Sequence, residues 1–395
     1  MDKIRIFVAG DLSIHPNSPL PHLKPKLSQL QNHADLGFVN LESAIKHPHS
    51  QPVLKSGPTI STHHQTPEFL KKSNLNLISL ANNHIMDYAW DSALFTRQGL
   101  IKFKLKPFGI GHNLNFSHRP IRFSFKKYKF SLFAFAEPEF GFATSTTSGY
   151  APAIRLKRTI SKESNKRSIV IVSIHGGPEE ALIPSPRQVS VYRSLVDAGA
   201  KLVIGHHSHT PLPFEKYKSG VIVYSLGNYY FNQPMPKSTY SDFGLAGIIT
   251  ISGNKIGFQP YYLKVFKSSV GLFQDFQISE APARSYYHLL QRYLASGDFN
   301  KLYDVYAHDF ATKHILPFLA TQAYNLKDML MAKINFILKG KITPPQAQYL
   351  VYLQNLIINP SHHESLHNYF LSSPSERDIR RYHSLNKNFQ RIKSL

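Results

Sequence analysis

A chain of 395 residues that is 42% hydrophobic and 12% aromatic can bury a large core in one or two domains, which excludes a disordered polypeptide. Its net charge of +22 favours anionic partners. Residues 275–395 hold 14 Lys/Arg against 9 Asp/Glu, so +17 of the excess lies in the first 274 residues. The absence of cysteine excludes disulfides and thiolate metal sites and leaves His, carboxylate and amide groups as the available ligands.

In chain order, residues 4–9 (IRIFVA) read as a strand ending at Gly10-Asp11, where glycine lets the backbone turn. Residues 34–39 end a second unit before Asn40-Leu41-Glu42. Thr66-Pro67-Glu68 opens a short helix through Lys72. A strand over 75–81 delivers Asn82-Asn83-His84, and 91–102 has helical spacing. Residues 121–125 and 128–136 form a hairpin through Lys126-Lys127. A buried strand over 169–174 precedes His175-Gly176-Gly177-Pro178-Glu179. A helix over 188–198 stops at Gly199. Strands follow over 201–204, 221–226, 245–252 and 255–266, the last two joined by Gly253-Asn254. From about 275 the patterns are helical: 285–294, 311–337 with a break, and 344–358. The mixed order predicts two packed sheets flanked by helices rather than one doubly wound sheet. No run reaches the ~18 apolar residues of a membrane span. Asp11, not a small-residue cleavage site, follows the first apolar run, so the chain as it stands reads as cytoplasmic, with any membrane association peripheral.

Five polar clusters thus follow five strand-like runs, and ligands of α/β sheets bind beyond the carboxyl ends of strands. Asp, Glu, Asn and His gathered there are metal ligands and acid–base groups. Gly10-Asp11 alone is more often a turn. Asn82-Asn83-His84-x-x-Asp87 offers an amide oxygen, an imidazole and a carboxylate to orient it. In Gly205-His206-His207-Ser208-His209, the histidines at 207 and 209 point the same way on an extended segment, a geometry for one metal centre, while His206 points away, as a structural residue or one that supports the ligands. No dinucleotide fingerprint, P-loop or nucleophile-elbow motif occurs. The tyrosine-rich segments lack an RNA-recognition signature, so nucleic acid is not the favoured partner.

GDLSIHPN, FVNLESAI, LISLANNHIMDYAWDSAL, SIHGGPEE and GAKLVIGHHSHTPLPFEKYKSGVIVYSLGNYYFN resemble, in order, the signature blocks of the CapA-type capsule-synthesis (poly-γ-glutamate) family, related to calcineurin-like metallophosphoesterases. The resemblance covers roughly 1–266. It implies a four-layer α/β/β/α metallophosphoesterase-like sandwich over 1–270, with 275–395 as a C-terminal helical extension. It implies metal at Asp11, Glu42, Asn83, His207 and His209, joined by His175, with one or two divalent ions (Mn, Zn or Fe). His84 takes the place of a general-acid or substrate-binding histidine oriented by Asp87, and Glu179 matches the acid of a His-x-Gly-x-Glu block. Ser225-Leu226-Gly227-Asn228 matches a block read as loop architecture. The chain departs from the pattern at Ser13, where Asp-x-His would have histidine, at Glu42 for Asp, at Ala89 for Gly, and at His-Gly-Gly for His-Trp-Gly. The implied activity is that of a metal-dependent hydrolase, a phosphoesterase or a γ-glutamyl type, on an anionic polymer or its precursor: poly-γ-glutamate or a phosphorylated glycan. The alternative is a non-enzymatic polyanion-binding or assembly subunit working with capsule-synthesis proteins.

Overall fold

A computed structural model describes residues 3–233, 242–266, 268–315, 355 and 358–395. Its described residues form two large mixed sheets, two small two-stranded sheets and helices. The larger sheet runs, in spatial order, His22–Leu23, Ser269–Leu272, Lys255–Phe266, Phe243–Ser252, Ile4–Ser13, Leu36–Leu41, Leu77–Ser79 and Lys106–Phe108, with Asn228–Phe231 pairing parallel to the end of Ile4–Ser13. The smaller sheet runs Phe214–Tyr217, Gly220–Val223, Leu202–His206, Ile169–His175, Tyr128–Ala136 and Ile121–Phe125. Each sheet has a parallel block: Ile4–Ser13 with Leu36–Leu41, Leu77–Ser79 and Lys106–Phe108 in one, and Tyr128–Ala136 with Ile169–His175, Leu202–His206 and Gly220–Val223 in the other. Parallel neighbours end at the same edge, so every polar segment that follows one of these strands is delivered to that edge.

Alternation along the smaller sheet explains the packing. Phe130, Leu132, Ala134, Ile171, Leu202, Ile204, Val221 and Val223 share a core with the larger sheet. Their alternates, including Phe133, Phe135, Val170, Val172, Val203 and Ile222, pack on the helices Leu156–Ser164 and Pro186–Asp197 through Ile160, Val189, Tyr192 and Leu195. Strands buried on both faces carry near-continuous apolar runs, as IVIVSI does. The Ser173 hydroxyl reaches Ser79 of the larger sheet at 3.3 Å, tying the sheets together below the strand tips.

The first strand is longer than its sequence predicts. It continues through Gly10 and Asp11 to Ser13, with a register shift beside Asp11. Gly10 is therefore no turn. It serves close backbone approach, since a Cβ there would lie 1.8 Å from the Gly227 carbonyl oxygen. The hairpin of Ile121–Phe125 with Tyr128–Ala136 and that of Phe243–Ser252 with Lys255–Phe266 form as expected. Ala89 opens the helix Ala89–Lys102 at φ +61, a left-handed conformation that explains the glycine of the family pattern.

The helices Ala281–Ser296, Phe299–Phe310, Pro360–Leu371 and Glu376–Lys393 follow. Three of them contribute Tyr286, Tyr287, Leu302, Tyr303, Leu385 and Phe389 to the core that holds the larger sheet. The helical patterns over 316–337 and 344–354 lie outside the described residues. No helix among the described residues is long and apolar enough to cross a membrane.

Candidate metal centre

Two groups of buried ligand atoms meet at the strand tips. Glu42, His175 and His207 form one, and Asp11, Glu42 and His209 form the other; within each, the ligand atoms lie within 4.8 Å of one another. Glu42 belongs to both. It is fully buried, and neither carboxylate oxygen has a hydrogen-bond partner among the described residues. Its nearest ring nitrogens are His175 Nε2 at 3.5 Å and His209 Nε2 at 3.6 Å. Burial, then the neighbouring Asp11 and Glu179 charges, push the Glu42 carboxyl well above its ordinary range. Burial and the adjacent His207 push His175 well below its own. Asp11 behaves oppositely: burial opposes its ionisation, yet His206, His175 and His209 hold its carboxyl well below the usual range. A buried carboxyl group between the ring nitrogens of His175 and His209 is an arrangement able to hold a metal ion.

The ligands are held from behind. Asn40 donates to Asp11 Oδ1 at 2.8 Å and lies 3.2 Å from His175 Nδ1. Asn228 Oδ1 sits 2.9 Å from His209 Nδ1, which leaves Nε2 facing Glu42. Asn83 Oδ1 is 3.0 Å from His175 Nε2, which places this amide beside the first group. The segment after His206 is bent, not extended: His207 has φ +86 and His209 φ +56. The two histidines accordingly divide between the two groups, with rings 6.3 Å apart, instead of sharing one face of a strand. His206 does not turn away. Its Nδ1 lies 3.0 Å from Asp11 Oδ1 and its ring packs on Phe38. Left-handed residues of this kind cost roughly 1–3 kcal/mol each and persist where surrounding structure over-determines them. Ser13, at the position of the missing histidine, is bonded instead to Ser43 at 2.6 Å and Gln233 at 2.7 Å.

His84 stands beside these groups without entering them. Its Nδ1 is 2.8 Å from Asp87 Oδ2 and 3.1 Å from Lys55 Nζ. Burial and then Lys55 lower its pKa, against Asp87. Asp87 is itself fixed by Lys55 and by the Ile60 amide at 2.8 Å. Glu179 is half exposed, with Oε1 3.7 Å from His207 Nε2; its backbone carbonyl accepts from the Tyr306 hydroxyl at 2.8 Å.

Sequence reasoning passed over several site residues. Glu137 and Glu139 follow the strand Tyr128–Ala136 in the same way that the five recognised clusters follow theirs, and that signal was available. Glu139 Oε1 lies 3.8 Å from His207 Nε2, and its Oε2 accepts from Asn83 at 3.4 Å. Asn228 belongs to a segment read as loop architecture, and it orients a candidate ligand. Lys55, a single lysine in an irregular stretch, carried no local signal.

A two-sheet α/β protein with buried His, Asp and Glu groups at its strand tips is the class that fold and site define. Residues 5–233, more than half of the chain, match the family described as bacterial capsule synthesis protein PGA_cap, and the chain belongs to that family. It is similar to the capsule biosynthesis protein CapA of Bacillus anthracis, with 29% identity over 182 residues covering 44% of each chain. The PGA biosynthesis protein CapA of Bacillus subtilis (strain 168) is 32% identical over 186 residues, 44% of this chain and 47% of that one. A probable polyglutamine synthesis accessory protein of Mycobacterium tuberculosis is 27% identical over 225 residues, 51% and 57% of the two chains. The chain spans about half the length of the curated relatives it matches.

Proposed function

We propose that this chain is a metal-dependent hydrolase-like protein of capsule polymer synthesis, acting on poly-γ-glutamate, a phosphorylated glycan or a precursor of either. The observation that carries this reading is Glu42: a fully buried carboxylate without a hydrogen-bond partner among the described residues, shared by two ligand groups. In this reading Asp11, Glu42 and His209 would hold a divalent ion, and Glu42, His175 and His207, with Asn83 beside them, could hold a second. A bound ion would supply Lewis acidity toward a phosphoryl or carbonyl oxygen and lower the pKa of a bound water. Asn228 Oδ1 takes the Nδ1 side of His209 and so leaves its Nε2 available toward Glu42. His84 binds or protonates the leaving oxygen; whether Asp87 or Lys55 engages its Nδ1 decides if Nε2 presents a lone pair or a proton. Glu179, at the exposed side of His207, orients the attacking water or an amine of the substrate. The two sheets and their helices are read as the four-layer α/β/β/α arrangement of metallophosphoesterases, with residues 275–395 as a helical extension docked on a 1–270 unit. A chain truncated near 270 is expected to leave a folded but less stable unit. The test of activity is hydrolysis of phosphodiester and γ-glutamyl substrates by purified protein with and without chelator. Metal-dependent turnover supports the reading, and identical rates in both arms oppose it.

The relatives' names, which speak of biosynthesis and of an accessory protein, favour a second reading: a polymer-binding assembly subunit whose metal is structural. Tight polymer binding by metal-loaded protein without turnover would select it.

A further inference from the structure

The helix Pro360–Leu371 lies beyond the family-matched residues 5–233, yet its first turn touches the carboxylates that border the candidate metal centre. Asn359 is buried and makes two opposite bonds. Its Oδ1 accepts from the Ser361 amide at 2.8 Å, capping the helix, and its Nδ2 donates to Glu139 Oε1 at 3.0 Å. Ser361 donates its hydroxyl to Glu137 Oε2 at 2.8 Å. Arg187 closes the bracket. It pairs with Glu137 at 2.7 Å and with Glu364 of the helix at 3.1 Å, and donates to Ser361 Oγ at 3.0 Å. Glu139 in turn meets Asn83 at 3.4 Å and His207, a member of the first ligand group, at 3.8 Å. Hydrogen bonds therefore run from a C-terminal helix through Glu139 to Asn83, and the same carboxylate makes a charge contact with His207. On the same helix His362 stacks on Phe310 and lies within the electrostatic reach of Glu179 and His207.

We infer that Asn359 is a positioning residue for the metal centre: through Glu139 it sets Asn83 and His207, so the C-terminal helix is part of the site and tunes its affinity for a divalent cation. This rests on the metal reading above. Outer partners of ligands typically change metal affinity 10–100-fold when removed, and that is the size of effect expected here.

The experiment uses the full-length chain and Mn2+ alone, titrated calorimetrically into wild type, Asn359→Thr, Glu139→Gln and the double variant, with thermal melts of each metal-free protein. Threonine keeps an oxygen to cap the helix but has no amide to give Glu139, so a capping role alone predicts wild-type affinity. The positioning role predicts at least ten-fold weaker binding by N359T and by E139Q. In the double variant the losses should not add, because both act through one path. Wild-type affinity in a folded N359T, or fully additive losses, overturns the inference while the metal reading stands. A wild type that takes up no Mn2+ overturns both. Should N359T fail to fold, E139Q decides alone, and unchanged affinity there overturns the path.

Discussion

Replacing Glu42 by glutamine separates stability from metal binding, because the same carboxylate bears on both. It is fully buried with no donor, and a buried polar group left unpaired costs about 1–3 kcal/mol, more when charged. The raised folded-state pKa gives the sign of the pH dependence. Between the ordinary carboxyl range and that raised value the folded state binds more protons than the unfolded state, so metal-free stability is full below the ordinary range and falls as pH rises through the window. Glutamine removes this dependence. At pH 7–8 the metal-free Glu42→Gln protein is expected to be more stable than wild type by about 1.4 kcal/mol for each pH unit crossed within that window. Metal at 100 times its Kd stabilises the wild type by about 2.7 kcal/mol. For a cooperative unit of this length, with an unfolding entropy of roughly 0.8 kcal/mol/K, that is a rise in Tm of about 3 °C. The variant should show no such rise. Differential scanning calorimetry of both proteins, with chelator and with Mn2+, measures all four states. A variant less stable than metal-free wild type, or one that keeps the metal-induced shift, refutes the reasoning.

His207→Ala and His209→Ala are each expected to lose metal binding, whereas His84→Ala, outside both ligand groups, keeps metal and loses turnover; elemental analysis beside a rate assay distinguishes them. Ala89→Gly should be stabilising by roughly 0.5 kcal/mol, since relief of about 1–2 kcal/mol of left-handed strain exceeds the 0.5–1 kcal/mol entropic cost of glycine; a fall in Tm would contradict it. The charge of +22 predicts that capture of polyglutamate weakens as salt rises, because attraction is screened over roughly 8 Å at physiological ionic strength; affinity that is flat across a salt series, or absent, would oppose an anionic polymer as partner.

Strand-end clusters were legible because apolar runs and the residues after them are local. IRIFVA, SIVIVSI and their polar successors reveal a rim without any knowledge of sheet order. What locality cannot carry is register and pairing. The short strands Phe214–Tyr217 and Asn228–Phe231 went unread, because their pattern gains meaning only beside Gly220–Val223 and Ile4–Ser13. The extended conformation expected at 207–209 failed for a similar reason: close approach of Asp11 to the His207 amide, at 3.0 Å, bends the segment, and Asp11 is 196 residues away. Glu139 and Lys55 show the two kinds of omission. Glu139 lies just past the strand Tyr128–Ala136, a position as local as those of the five recognised clusters. Lys55 acquires a role only where the chain folds back on Asp87 and His84. The C-terminal helices were legible as helices in part, but nothing local in Asn359 or Ser361 points to Glu137 and Glu139, more than 200 residues earlier.

The most direct test of a metal centre built on Glu42 is anomalous diffraction at the manganese edge from crystals of the full chain equilibrated with Mn2+. The account predicts anomalous density within about 2.0–2.3 Å of Glu42 oxygens, on the Asp11–His209 side, the His175–His207 side or both. Crystals that hold Mn2+ elsewhere, or that leave Glu42 without a cation while its oxygens find protein donors, would contradict it.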